Sequence, residues 1–148
     1  MAVMTITDAK TPWHLWLVGI VGLLWNAFGA LDFAMSVTMG DGWYRMAKMT
    51  GPQMAFMHGY PAWMYVVWFA GTWGALIGSV LLLLRLRWAV QAFAVSLIGF
   101  LASLVYAYFL SDAQSVLGDT TVMHIAIFVG CVFFLWYAWT MAKRGVLR

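Results

Sequence analysis

Four stretches of this chain are long and apolar enough to cross a lipid bilayer, and that feature removes most folds from consideration. They cover about residues 13–36, 61–84, 88–110 and 121–141. A helix needs roughly 20 apolar residues to span about 30 Å of hydrocarbon. A segment in lipid must also satisfy its backbone hydrogen bonds internally, so each stretch reads as a helix. The sequence therefore predicts an all-α, polytopic membrane protein. Residues 1–148 form one domain, a four-helix transmembrane bundle running up and down.

Composition agrees. Charged residues make up 9% of the chain and hydrophobic ones 65%, whereas a soluble domain carries about 25% charged residues. Many of the Trp and Tyr fall near the ends of the apolar runs, where bilayer interfaces favour amphipathic rings. A leader with Lys10 as its single cation, beside Asp8, precedes an apolar run longer than a signal core. That run reads as an uncleaved helix, although Ala27 to Ala30 offers small residues for a peptidase. Orientation follows from the cations. Lys10, Arg85, Arg87, Lys143, Arg144 and Arg148 fall on one side and only Arg45 and Lys48 on the other, so both termini are expected in the cytoplasm. The cations flank apolar runs instead of forming a basic patch, and no nucleic-acid partner is expected.

The first span carries the polar residues that need an explanation. On a wheel of 100° per residue, Asp32, Trp25, Ser36, Gly29, Gly22, Phe33, Asn26 and Gly19 share an arc of roughly 140°. The opposite arc has no polar side chain and suits lipid. An acid at mid-membrane costs at least about 2.5 kcal/mol, so Asp32 is expected to turn inward. It lies about 24 Å along the helix from Trp16, in the outer third of the membrane. It reads either as a hydrated acid bonded to Ser36 or a neighbouring helix, or as a proton- or cation-responsive site. Asn26, deeper, reads first as interhelical glue.

Between the first two spans, residues 37–60 are expected to form an outward, amphipathic interfacial segment. After the turn Gly40-Asp41-Gly42, a short helix is expected over Trp43 to Met49, rings and Met inward, Arg45 and Lys48 toward headgroups. A second runs from Pro52 to His58, opened by Thr50-Gly51-Pro52 and closed by Gly59. Small-residue seams are expected to let backbones approach: Gly22 and Gly29 in the first span, and Gly71, Gly74 and Gly78 in the second. The third contributes Ser96, Gly99 and Ser103, and the fourth Gly130 at small-xxx-small spacing from Ala126. Residues 111–120 form an acidic outward loop.

Asp32, Asn26, Ser36, Tyr60, His58 and His124 are the candidates for an outer vestibule. His58 and His124, with Asp41 and Asp119 nearby, are weak metal candidates because no HxxH or HxxxH spacing supports them. A bis-histidine haem would have to use the same pair, since His14 lies on the other side. No cofactor is predicted. No nucleophile–base pair is assembled, Cys131 lacks a histidine at its depth, and neither a phosphate loop nor a Rossmann fingerprint occurs. Catalysis is not expected.

The segments Leu24 to Ser36, Tyr44 to Trp63, Gly71 to Ser79 and Lys143 to Arg148 carry a resemblance covering most of the chain. It resembles a family of small four-helix inner-membrane proteins of proteobacteria, often labelled automatically as sugar transporters. Members often follow the proline matching Pro52 with an acid, and this chain has Gln53 there. The resemblance implies the inner membrane and a transporter-like role. Two main functions are expected, with membrane lipid as a partner in both. One is a small-solute or lipophile carrier working as a homo-oligomer. The other is an accessory or assembly subunit of a larger respiratory or photosynthetic membrane complex. A metal- or haem-binding membrane protein is the third.

Overall fold

The computed structural model describes residues 9–148 and contains four helices long and apolar enough to cross a membrane, as the sequence predicts. In order they are α1 (Trp13–Met39), α2 (Asp41–Met46), α3 (Gly51–His58), α4 (Ala62–Leu83), α5 (Trp88–Val105), α6 (Ala113–Leu117) and α7 (Thr121–Lys143). A π-helical turn, Tyr106–Leu110, extends α5 to the end of the third span. The protein is a multi-pass, all-α membrane protein. Asp8 and the rest of the leader before residue 9 lie outside the described residues.

The helices begin and end where local chemistry requires. Pro12 and Pro61 precede the first turns of α1 and α4, where a missing N–H costs nothing. Gly40, at φ +52°, stops α1. The chain then leaves α4 through Arg85 at φ +61°, whose N–H donates to Leu82 while that of Leu86 donates to Leu81. This is the Schellman arrangement that glycine usually supplies. α7 ends the same way with Gly145 at φ +71°.

Helix α4 lies between α1 and α5, and α7 packs along α5. The α4–α5 pair is the closest. Ser96 donates to the Gly71 carbonyl at 2.6 Å. A Cβ on Gly99 would sit 2.8 Å from the Gly71 nitrogen and 2.9 Å from the Val67 oxygen. Gly74 faces Ala92 and Ser96, and Gly78 faces the Phe93 ring. On the other side of α4, Gly22 meets the Phe134 ring of α7 and then Ser79, and Gly29 meets Thr72. Asn26 bridges the α1–α4 seam, donating to Ser79 Oγ at 3.0 Å and to the Ala75 carbonyl at 3.4 Å. These bonds tie α1 to α4.

Two seam residues behave otherwise. Ser103 turns its hydroxyl to Phe100 of its own helix. Around Gly130, among the described residues, no atom beyond its own stretch of helix lies within 4 Å of where a Cβ would be, so the fourth span's small-residue spacing makes no close interhelical contact there. The α5–α7 contact rests on rings instead, with Phe93 stacked on Phe134 at 5.5 Å.

The lipid-suited arc of α1 is exposed at Trp16, Leu17, Ile20, Val21, Leu24, Phe28 and Leu31. Trp25, placed on the inward arc, is 60% exposed, and Ala30, placed outside it, is 2% exposed. The buried stripe is thus turned by roughly 20–30° toward Ala30. Close approach along this stripe leaves no room for an indole: a Cβ on Gly19 would strike the Leu83 side chain and one on Gly22 would lie 2.7 Å from Phe134.

The four long helices converge on a core at the end that carries Lys10, Arg85, Arg87, Lys143 and Arg144, here the basic end. Leu15, Leu82, Ala89, Phe93, Tyr137, Ala138, Met141, Val146 and Leu147 form it. His14 hydrogen-bonds the Tyr137 hydroxyl, tying α1 to α7 there. Residues 145–148 fold back as a strap. The Arg148 N–H donates to the Arg85 carbonyl at 2.7 Å, and its carbonyl accepts from the Arg87 N–H at 2.8 Å. The side chains of Arg85 and Arg87 donate through Nε to the Val146 and Leu147 carbonyls.

Candidate functional site at the loop end

Two short helices cover the opposite end. α2 starts two residues earlier than expected and ends three earlier, because Lys48 at φ +57° turns the chain. Met46 is 68% exposed, so of the side chains expected inward only part of the set turns that way, with Tyr44 buried at 5%. α3 opens with a capping box in which the Gln53 side chain accepts from the Thr50 N–H at 2.9 Å. The acidic loop contains α6, and the Ser111 hydroxyl donates to the Tyr106 carbonyl at 2.9 Å.

The candidate residues fall into two groups. Asp32 is half-buried on α1, and its Oδ1 accepts from the Trp43 indole N–H of α2 at 2.8 Å. One turn on, Ser36 is buried and hydrogen-bonds Tyr44. Burial pushes the Tyr44 phenol above its ordinary range, with the Ser36 bond pulling part way back and the nearby Asp32 and Asp41 adding to the rise. His58, on the last turn of α3, meets Asp41 on the first turn of α2 at 2.6 Å and lies edge-on to Tyr44. Both members of that pair are about half exposed, so it contributes no more than about 1 kcal/mol and joins α2 to α3 without fixing the fold.

Tyr60 leads into an aromatic wall. Its ring meets Phe56, Tyr65, Trp68 and Tyr106 edge-on at 5.4–6.3 Å, and Trp63 meets Tyr106 at 5.5 Å. Burial among these rings raises the Tyr60 phenol to about 12. Below the ordinary phenol value of 10.0 both folded and unfolded chains keep this proton. Between 10 and 12 only the folded chain does, so stability falls as pH rises through that window. A Tyr60→Phe variant is expected to lose the latest-ionising component of an alkaline phenolate absorbance titration and to soften the stability loss above pH 10.

His124 belongs to the second group. Its Nδ1 lies 3.0 Å from the Tyr108 hydroxyl, and its ring packs on Phe100, between α5 and α7. It borders an open groove of about 290 Å³ with Tyr108, Thr121 and Phe128. Nearby, hydrogen bonds from the Thr121 hydroxyl and N–H hold Asp119 below the usual carboxylate range. His58 and His124 thus take separate partners. Among the described residues no three His, Cys, Asp or Glu side chains gather in a way that could hold a metal ion.

Sequence reasoning singled out Asp32, Ser36, Tyr60 and His58 but did not place Trp43, Tyr44, Tyr65, Trp68 and Tyr106 beside them. Tyr106 is placed by a π-turn, which leaves no period in the sequence. The Trp43 bond was in principle legible, because an indole N–H eleven residues beyond a membrane acid, across a glycine turn, is a ready donor. In comparison with known proteins, the chain matches no family model, no curated protein and no solved structure.

Proposed function

We propose that this protein is a non-catalytic carrier that admits a small solute at the loop end, with Asp32 as the group whose charge responds to it. The observation that carries this reading is the environment of Asp32. It is a carboxylate in a membrane-length helix whose recorded partner is the Trp43 indole N–H of a short covering helix, not a cation. An ionised carboxylate has about four acceptor sites, so capacity remains for a proton or a cationic group. Further support comes from the covering helices, which are short and whose polar ties to each other and to α1, His58–Asp41 and Trp43–Asp32, lie at the exposed or half-buried mouth.

In this reading the protein sits in the inner membrane of a bacterium, as the family resemblance implies. The basic end is cytoplasmic because cations gather there, and α2–α3 lie in the outer interface. The grooves beside His124 and beside Lys143 both open at the surface, and in this reading the path across the membrane is formed by a homo-oligomer. Proteoliposomes challenged with labelled amines, neutral sugars and lipophilic anions test the reading. Uptake of one class above protein-free vesicles is expected, falling at least about tenfold in Asp32→Asn with expression intact. Equal uptake by that variant overturns the role of Asp32, and no uptake of any class overturns the carrier. Recovery of the native protein bound to other subunits would favour the accessory role instead.

A further inference from the structure

At the basic end a second groove, of about 300 Å³, opens between α5 and α7. Arg87, Gln91 and Lys143 supply its polar lining, and Val90, Ala142 and Trp139 its apolar wall. We propose that this groove is a binding site for the phosphate headgroup of an anionic phospholipid, whose acyl chains run down the exposed apolar surface of α5 and α7.

Several independent features point the same way. Charge is one: the four described aspartates, Asp32, Asp41, Asp112 and Asp119, all lie at the other end, so no carboxylate side chain among the described residues competes for these cations. Preorganisation is another. The Lys143 ammonium stands 3.7 Å over the centre of the Trp139 ring, a cation–π contact that holds it at the rim while leaving its N–H donors free. The Arg87 Nε is spent on the Leu147 carbonyl at 3.3 Å, which fixes the guanidinium plane, and its other four N–H donors remain. Gln91 follows one helical turn after Arg87 and adds an amide donor. A guanidinium, an ammonium and an amide around one recess match the oxygens of a phosphodiester.

The apolar side matches as well. Val95 and Ile98 of α5 and Val132 and Trp136 of α7 are exposed along the direction an acyl chain would take. A tryptophan at the headgroup level is the usual interfacial anchor. Basic recesses between membrane helices are a recognised mode of anionic headgroup binding. Free phosphate shares the headgroup chemistry but would leave the apolar wall without a partner.

The test is native mass spectrometry of the full-length protein released from nanodiscs holding equal phosphatidylglycerol and phosphatidylcholine. The wild-type chain is expected to retain phosphatidylglycerol preferentially, and Arg87→Gln/Lys143→Gln to lose at least about tenfold of that retention. Lys143→Gln alone, an exposed change that leaves the strap untouched, is expected to lose a few-fold and decides the matter if the double variant does not fold. Arg45→Gln/Lys48→Gln removes two cations at the other end and is expected to retain lipid as wild type does. Equal loss in that control reduces the effect to overall charge and overturns the site. So does undiminished retention in Lys143→Gln, equal retention of the two lipids, or displacement of the lipid by millimolar inorganic phosphate.

Discussion

Replacing Gly99 by leucine is expected to prevent the bundle from forming, and even Gly99→Ala to lower its stability by about 2–3 kcal/mol. The reason is what the new atom would strike. At 2.8 Å and 2.9 Å the obstacles are the Gly71 nitrogen and the Val67 oxygen, main-chain atoms that cannot rotate aside as a side chain would. Relief requires α4 and α5 to separate, which stretches the Ser96–Gly71 bond and withdraws Gly74 and Gly78 from their contacts. Hydrogen bonding is the smaller part: Ser96→Ala is expected to cost only about 0.6 kcal/mol, the usual worth of such a bond between membrane helices. Gly130→Ala provides the contrast, because among the described residues no other element comes within 4 Å of its Cβ position; a change within about 0.5 kcal/mol is expected. Thermal unfolding of the purified variants in mild detergent measures all three. A Gly99→Ala melt that coincides with wild type would show that the two backbones are not in contact.

The second large effect concerns the strap. Leu147 is 1% exposed and Val146 3%, values typical of a core centre and unusual for residues outside any helix. Leu147→Ala is expected to destabilise by about 2–4 kcal/mol, the transfer and cavity terms together. Removing residues 145–148 goes further. It uncovers Leu15, Leu82 and Phe93 to the polar end of the bundle and strips Arg85 and Arg87 of their four bonds to the strap. Arg85 would then hold its left-handed backbone, worth about 1–2 kcal/mol of strain, without support. The same melting experiment applies, with truncation expected to lower the midpoint far more than Val66→Ala, a change at an exposed apolar position.

Much of the architecture was legible because a bilayer leaves a chain few options. Length and apolarity were enough for the four spans, and period alone identified Gly71, Gly74, Gly78 and Gly99 as a contact face. Period could not say what that face meets. Gly130 has the same spacing as the working glycines and touches nothing, because packing on α7 is decided by where Phe93 and Phe134 stack. The tilt of the α1 stripe toward Ala30 escaped the helical wheel, which treats the helix as isolated and ignores how closely its glycines draw α4 in. The strap was the least legible element. Gly145-Val146-Leu147 carries no period, and its burial follows from two arginines whose side chains bond carbonyls instead of facing solvent.

The strap also fixes an order of events in making the protein. Val146 and Leu147 lie beyond the fourth span, so the core they complete cannot close until that span has left the ribosome and entered the bilayer. Until then Leu82 and Phe93 wait without their cover, and the α4–α5 hairpin must stand on its glycine contacts alone. Residues 145–148, made only after all four spans, therefore act as the clasp that distinguishes a closed bundle from an open one.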